Sequence, residues 1–386
     1  MKVLHIGPIP IRKGGKLKGG VESHISQLSL ALDDVDIDSL YFRNEVVNLQ
    51  NSNDVFSYNN TFERILYCII GAIIYMFELH KLFPFRMKAL KVLSDAIKIK
   101  MISRRNSVDV VHVHGLHDTA IKSCEFAGLA CIATDHGIGH KIVFKDNIEL
   151  VRNNLSNVSV IIAISDFSHE NCLKLVNENK IFKINNPIDV SVNLKEEKKT
   201  KVIIDGEYFI FNGISEAWDR KGLKYIANEI NDIFDCYKDL KFVCISEKAI
   251  HEKFSTYVSG EFKNRIIYVE PLSRNENLKL VQNALFNLAP SQYEGFSLAY
   301  LESIIMGTPV LGFASNITEM NKIFNVDFNV PFDFKLNKPI LGSVTKVEFN
   351  ARNACLRVDS ELVSWKNNIH RFIDVYKRAL ELNRVN

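Results

Sequence analysis

The sequence predicts an α/β protein made of two doubly wound parallel sheets, each in its own domain. Three observations carry this reading. Short apolar runs alternate along the chain with longer segments at helical spacing, the pattern of βαβ units. The stretch 284–313 shows strand, loop, helix and strand in direct succession. The composition shifts most at Asn193-Leu-Lys-Glu-Glu-Lys-Lys-Thr-Lys201, a charged polar run with a fresh strand-and-helix series on each side, which reads as the linker. With 386 residues the chain can bury a large core and divide in two.

Composition narrows the class. Apolar content of 47% and charged content of 24% are those of an ordinary globular protein, and a net charge of +3 gives no argument for nucleic acid. The seven cysteines are scattered, odd in number and without C-x-x-C spacing, so neither a disulfide framework nor a zinc finger is expected. Met1-Lys2 runs directly into an apolar strand rather than a signal core, and no cleavage signal follows. The expected location is the cytoplasm.

Taken in order, Val3-Leu-His-Ile6 is a strand broken by Gly7-Pro8. A loop with Gly14, Gly15, Gly19 and Gly20 opens a helix that sets Val21, Ile25, Leu28 and Leu32 on one face. Such a loop can bring backbone N–H groups close to phosphates. It is neither a P-loop nor G-x-G-x-x-G. A mobile surface loop accounts for the glycines equally well, and a solvated basic loop accounts for Lys13, Lys16 and Lys18.

Ile65-Leu-Tyr-Cys-Ile-Ile-Gly-Ala-Ile-Ile-Tyr-Met-Phe77 is apolar all round, yet too short to span a bilayer, which takes about 20 residues. Lys81, Arg86, Lys88, Lys91, Lys98, Lys100, Arg104 and Arg105 follow, with Leu82, Phe83 and Phe85 interleaved. Two readings stand: an anionic membrane contact through the 62–105 region, or a buried helix followed by an amphipathic surface helix.

Val108-Asp-Val-Val-His-Val-His-Gly115 and Cys131-Ile-Ala-Thr-Asp-His-Gly137 are further parallel strands, each ending at histidine. His112, His114, His117, Asp118, Asp135, His136 and His140 form a His/Asp-rich set that a metallohydrolase could use. Against this, His117 lies past Gly115 and the order is His-Asp, and His112 fits better as a satisfied core histidine.

In the second half, Ala284-Leu-Phe-Asn-Leu-Ala289 is a strand ended by Pro290 and Ser291, with a turn at Gly295. Ser297 is the expected N-cap, its hydroxyl accepting from a first-turn amide. Leu298, Leu301, Ile304 and Ile305 share a helical face, Gly307 and Pro309 stop the helix, and Val310-Leu-Gly-Phe313 is the next strand. Ligands of such sheets sit at the carboxyl ends of the strands, where this unit carries Glu294 and Glu302.

Glu294 and Glu302, with Pro290, Ser291, Gly295, Phe296, Gly307, Pro309 and Val310 around them, resemble the E-x7-E motif of retaining GT-B glycosyltransferases of family 4. The chain departs at Ser297 and Ser303, where the family prefers glycine and alanine. The resemblance implies a GT-B fold, two Rossmann-like domains facing across a cleft. Residues 1–192 would be the acceptor side, 202–358 the nucleotide-sugar domain and 359–386 a helix crossing back. Tyr208-Phe-Ile-Phe-Asn-Gly213 resembles the first strand of the second domain.

The resemblance also assigns roles. Glu302 would bind the donor ribose and Glu294 would lie beside the donor sugar. The amides of Phe296, Ser297 and Leu298 would face the sugar and diphosphate, with Gly19 and Gly20 near the phosphates. Lys221-Gly222 matches the family's K-G, so Lys221 would clamp the diphosphate, while Ile214 stands where an arginine is expected. His136 would face the transferred sugar. Lys141, Arg220 and Asn316 are secondary candidates, the last in Ser315-Asn-Ile-Thr-Glu319, where the family has a G-G-I-P-E loop.

The implied activity is metal-independent retaining transfer from a nucleotide-diphosphate sugar to a glycan or lipid-linked acceptor, as in cell-surface polysaccharide synthesis, with no cofactor and no nucleic-acid partner. A catalytically impaired GT-B partner of another transferase is the alternative, and the metallohydrolase the third reading.

Overall fold

The computed structural model describes residues 1–15, 19–46, 54–76, 89–116, 118–137, 148–189, 204–213, 217–333, 339–353 and 356–385. Lys16, Lys18, the basic run from Lys81 to Lys88, His117, His140, Lys141, the linker 193–201 and Ile214 lie outside them. The chain divides into two compact units: Met1–Pro187 with Val363–Asn386, and Ile188–Leu362.

The first unit is built on strands β1 (Lys2–Ile6), β2 (Asp38–Val46), β3 (Val55–Tyr58), β4 (Val110–His114), β5 (Cys131–Asp135), β6 (Val160–Ala163) and β7 (Ile181–Lys183). Their order is β3-β2-β1-β4-β5-β6-β7, all parallel. A parallel sheet is covered on both faces, which is why these strands read as unbroken apolar runs. Leu4, Ile6, Val111, Val113, Ala133 and Ile161 belong to one core, with α3 (Ala89–Asn106) and α4 (Asp118–Ala127) on that side. Val3, Val110, Ile132, Val160 and Ile162 pack in the other, with α1 (Gly20–Asp33) and the final helix, Trp365–Val385. On this second face the ladder changes character toward the carboxyl ends, where His5, His112, His114 and Thr134 continue the same alternation.

α2 (Thr61–Ile74) lies against α3, with Gly71 close to Leu93, and Lys98 pairs with Glu63 at 2.7 Å. Lys98 is therefore a tie between two helices rather than a free surface charge. The opposite side of α2 carries Phe62, Ile65, Leu66, Ile69, Ile73 and Ile74 in the open, with Phe62 73% exposed and Ile73 66%. At 1.5 Å per residue a helix of this length reaches about 21 Å, short of the roughly 30 Å hydrocarbon core. No helix among the described residues is long and apolar enough to cross a membrane.

The second unit repeats the plan with β8 (Tyr208–Asn212), β9 (Lys241–Ile245), β10 (Ile266–Val269), β11 (Phe286–Ala289), β12 (Val310–Phe313) and β13 (Val330–Phe332), in the order β10-β9-β8-β11-β12-β13, again all parallel. Phe209 is the centre of its core, stacked on Phe242 at 4.8 Å and on Phe286 at 5.3 Å. In both units the strand order turns beside the first strand, and the crevice at that turn is where a doubly wound sheet takes its ligand.

Candidate active site

In the second unit the turning point lies between β8 and β11. Lys221 and Arg220 follow β8, and Glu294 follows β11. Gly222 brings the two loops together. It has φ +84°, and a Cβ there would sit 2.0 Å from the Pro290 carbonyl oxygen, so only glycine fits. The Gln292 N–H donates to the Arg220 carbonyl at 2.8 Å, closing the same seam.

This close approach sets the Lys221 Nζ 2.5 Å from one Glu294 oxygen and the Arg220 guanidinium 3.4 Å from the other. The Glu294 side chain is only 9% exposed. Burial alone pushes its carboxyl up. The Lys221 and Arg220 charges and the Lys221 hydrogen bond outweigh that and hold it below the usual carboxylate range. Glu294 is thus an ionised, buried carboxylate held between two cations.

Ser297 does sit at the N-cap of the following helix, Leu298–Ile305, but its hydroxyl makes no capping bond. Asn316 takes over the job of fixing this turn. Its Oδ1 accepts from the Ser297 N–H at 2.9 Å, and its Nδ2 donates to the Gly295 carbonyl at 3.1 Å. The Ser297 amide, expected to face a diphosphate, is therefore already committed. Asn316 is fully buried, and its amide holds the loop through these two bonds. The expected loop at Ser315–Glu319 is instead the start of a helix, Ala314–Phe324.

The two departures from the family pattern have structural reasons. Ser297 has φ −71°, open to any residue, so glycine is not required. The Ser303 hydroxyl accepts from Asn287 Nδ2 at 2.8 Å and donates to the Ala299 carbonyl at 2.9 Å, so a hydroxyl with both its roles used stands where the family has a methyl group.

Glu302 faces Arg274, in the first turn of the helix Arg274–Asn283, at 2.8 Å. Arg274 also donates to the Asp189 carbonyl at 3.1 Å. Burial raises the Glu302 carboxyl above its ordinary value, and Arg274 offsets only part of the rise. Sequence reasoning missed Arg274. A signal was available, because the capping box Ser273/Glu276 marks the helix start and puts Arg274 one residue inside it.

In the first unit, Gly20 opens α1 and Gly19 is its N-cap, with φ −178° that any residue adopts. The glycine that sterics demand is Gly15, whose Cβ would fall 1.7 Å from the Ile9 carbonyl oxygen. His136 follows β5, 9% exposed, with its ring stacked on His114 at 5.8 Å and edge-on to His24 at 5.0 Å. His112 is the satisfied core histidine expected of it, bonded to the Tyr376 hydroxyl at 3.0 Å and to Thr134 at 2.7 Å.

The hydrolase set does not assemble among the described residues. Asp135 accepts from the Ser168 hydroxyl at 2.6 Å and from the Gly137 N–H at 2.9 Å. The metal-competent groups there are His5/His112/His114 and His24/His114/His136, imidazole throughout, and they include no carboxylate. His5 and His24 escaped the sequence reading. His5 is paired with His112 by the β1–β4 register, and His24 is one helical turn before the buried Leu28.

Residues 18–192 match the family model described as Glycosyltransferase Family 4, and residues 207–326 the model described as Glycosyl transferases group 1. Among solved structures, the apo lipopolysaccharide outer core galactosyltransferase WaaB is similar at TM-score 0.61 and 15% identity, over 100% of this chain and 99% of that one. A TarM variant of S. aureus, in complex with fondaparinux, alpha-GlcNAc-glycerol and UDP, gives 0.64 and 11% over 99% of each chain. HepE of Anabaena in complex with UDP-glucose gives 0.62 and 13% over 100% of each. At these identities the likeness concerns the fold, and the fold is GT-B-like. Separately, 152 residues, 37% of the chain, are 29% identical to Protein PFC0760c of Plasmodium falciparum (isolate 3D7), and the chain spans only 4% of that protein's length.

Proposed function

The chain belongs to glycosyltransferase family 4, and from that premise we propose that it moves a sugar, with retention, from a nucleotide-diphosphate sugar to an acceptor hydroxyl on a glycan or lipid-linked carrier. One observation carries the reading: the buried Glu294 between Lys221 and Arg220, at the turning point of the sheet. A carboxylate that close to a lysine fixes the ammonium in place before the donor arrives. The fixed charge then meets the negative charge that grows on the departing diphosphate.

In this mechanism the bond from the anomeric carbon to the diphosphate oxygen breaks as the acceptor oxygen bonds on the same face. The acceptor proton passes to the leaving phosphate oxygen, so no protein base is needed on the opposite face. Lys221 stabilises the leaving group, and Arg220 assists in place of the arginine absent at position 214. Glu302 exchanges Arg274 for the ribose hydroxyls, and His136 faces the transferred sugar. The reaction proceeds without a metal. UDP and UDP-glucose in the TarM and HepE structures make a uridine nucleotide the first to try.

The test is calorimetric titration with UDP, GDP, ADP and CMP, with and without chelator. One diphosphate is expected to bind, equally well in both conditions. Binding of none would overturn the transferase reading in favour of a non-catalytic partner, and binding only with metal would overturn the metal-independent mechanism.

The exposed side of α2 fits an anionic membrane surface, where a lipid-linked acceptor would lie. Its isoleucines are apolar and open, and Lys91, Arg104 and Arg105 belong to the helix packed behind it. Replacing Ile65, Ile69 and Ile73 by asparagine is expected to weaken sedimentation with phosphatidylglycerol vesicles on the order of 100-fold, from the apolar area removed. Unchanged sedimentation would remove the membrane from this account.

A further inference from the structure

We propose that His24, His114 and His136 form a site for a divalent transition ion of the Zn2+ class at the carboxyl end of the first unit's sheet. One ring nitrogen from each lies within 4.8 Å of the others. A tetrahedral ion with bonds of about 2.0–2.1 Å draws such nitrogens to roughly 3.3 Å, a closure that small side-chain rotations supply.

The alternative triad, His5/His112/His114, cannot serve in this way, because both nitrogens of His112 are committed to Tyr376 and Thr134. The chosen triad differs. His24 is 1% exposed and neither of its ring nitrogens has a hydrogen-bond partner among the described residues. His114 is 2% exposed; its Nε2 is 3.0 Å from His5 Nδ1, and its Nδ1 has no hydrogen-bond partner among the described residues. In the tautomer that ligation requires, the His114 Nε2–H donates to His5 Nδ1, which leaves the His114 Nδ1 lone pair for an ion. A ligating histidine whose second nitrogen is held by a fixed neighbour is the usual arrangement of metal sites. His5 is that neighbour here.

Buried polar atoms in folded proteins are, as a rule, partnered. A buried histidine with neither nitrogen bonded among the described residues is costly, and an apolar residue beside Trp365 and Phe372 would avoid the cost. Three imidazoles and no carboxylate select borderline ions over Mg2+ or Ca2+. His136 is the most exposed of the three, and a tetrahedral ion held by three imidazoles keeps a fourth ligand position for water.

The site is independent of the transfer mechanism, except that an ion on His136 would withdraw that ring from a donor sugar. Zn2+ would then act as an inhibitor.

The test is titration of chelator-treated full-length protein with CoCl2, followed by visible absorption and thermal unfolding. Wild type is expected to develop tetrahedral d–d bands that saturate at one equivalent, are displaced by Zn2+, and accompany a higher Tm. His24→Leu, which suits its apolar surroundings, is expected to lose the bands while keeping the far-UV spectrum. If that variant fails to fold, His136→Ala, at the edge of the cluster, asks the same question. Absence of bands in folded wild type, or their persistence at one equivalent in a folded variant, would overturn the proposal. Both readouts stand whether or not any nucleotide binds.

Discussion

Lys221→Met is expected to lower turnover by roughly 100- to 1,000-fold, the range seen when one preorganised electrostatic donor is removed from a transition state. Methionine keeps most of the length and loses the charge. Because the ammonium is held 2.5 Å from Glu294 before any donor binds, its contribution is to the developing charge on the leaving group rather than to ground-state affinity. The loss should therefore appear in kcat and kcat/KM together, with KM little changed.

The same substitution removes the nearer of two partners from a buried carboxylate. Arg220 remains at 3.4 Å, so the stability loss should be about 3 kcal/mol at neutral pH, the lower end of the range for breaking a buried pair. Its pH dependence has a definite sign. Glu294 is held below its ordinary value of 4.5, so its contribution is present above that value and lost as pH falls through the lower folded value. The gap between wild type and variant should therefore be wide at pH 7 and narrow in acid. Lys224→Met is the control, because Lys224 pairs with a largely exposed Asp219. Exposed pairs of this kind contribute little, so turnover should hold. Wild-type turnover in Lys221→Met would remove Lys221 from the site.

What the sequence disclosed and what it withheld follow from range. The stretch 284–313 was legible because its strand, turn and helix are consecutive, so local patterning and three-dimensional neighbourhood coincide. Glu294 could be placed beside Lys221 only through a family pattern, since no periodicity links two residues 73 positions apart. Asn316 was misplaced for the same reason. Whether it belongs to a loop or a helix depends on what its amide finds across the chain, and it finds the backbone of Gly295 and Ser297. The Ser297 hydroxyl makes no cap, and the turn is fixed instead by Asn316, which takes the Ser297 N–H and the Gly295 carbonyl from across the chain. His5 and His24 looked like isolated polar residues in apolar segments. Only the β1–β4 register and the packing of α1 on the sheet bring them to one point.

Glu302→Gln is expected to weaken binding of the cognate nucleoside diphosphate by about 10- to 100-fold, the worth of a hydrogen bond to a charged acceptor. It should do so without the usual loss of stability. The Glu302 carboxyl is raised by burial, and Arg274 offsets only part of that. For a carboxyl raised in the folded state, stability is fully present below 4.5 and is lost as pH rises through the folded value. At pH 8 the charged Glu302 is therefore a burden that glutamine removes, while Arg274, 30% exposed, is left to water and the Asp189 carbonyl. The Tm of the variant relative to wild type should improve as pH rises from 4.5 through the raised folded value and hold level above it. A charge retained against its own stability cost is the mark of a residue kept for its ligand. Equal nucleotide affinity together with a falling relative Tm would instead make Glu302 a structural partner of Arg274 and nothing more.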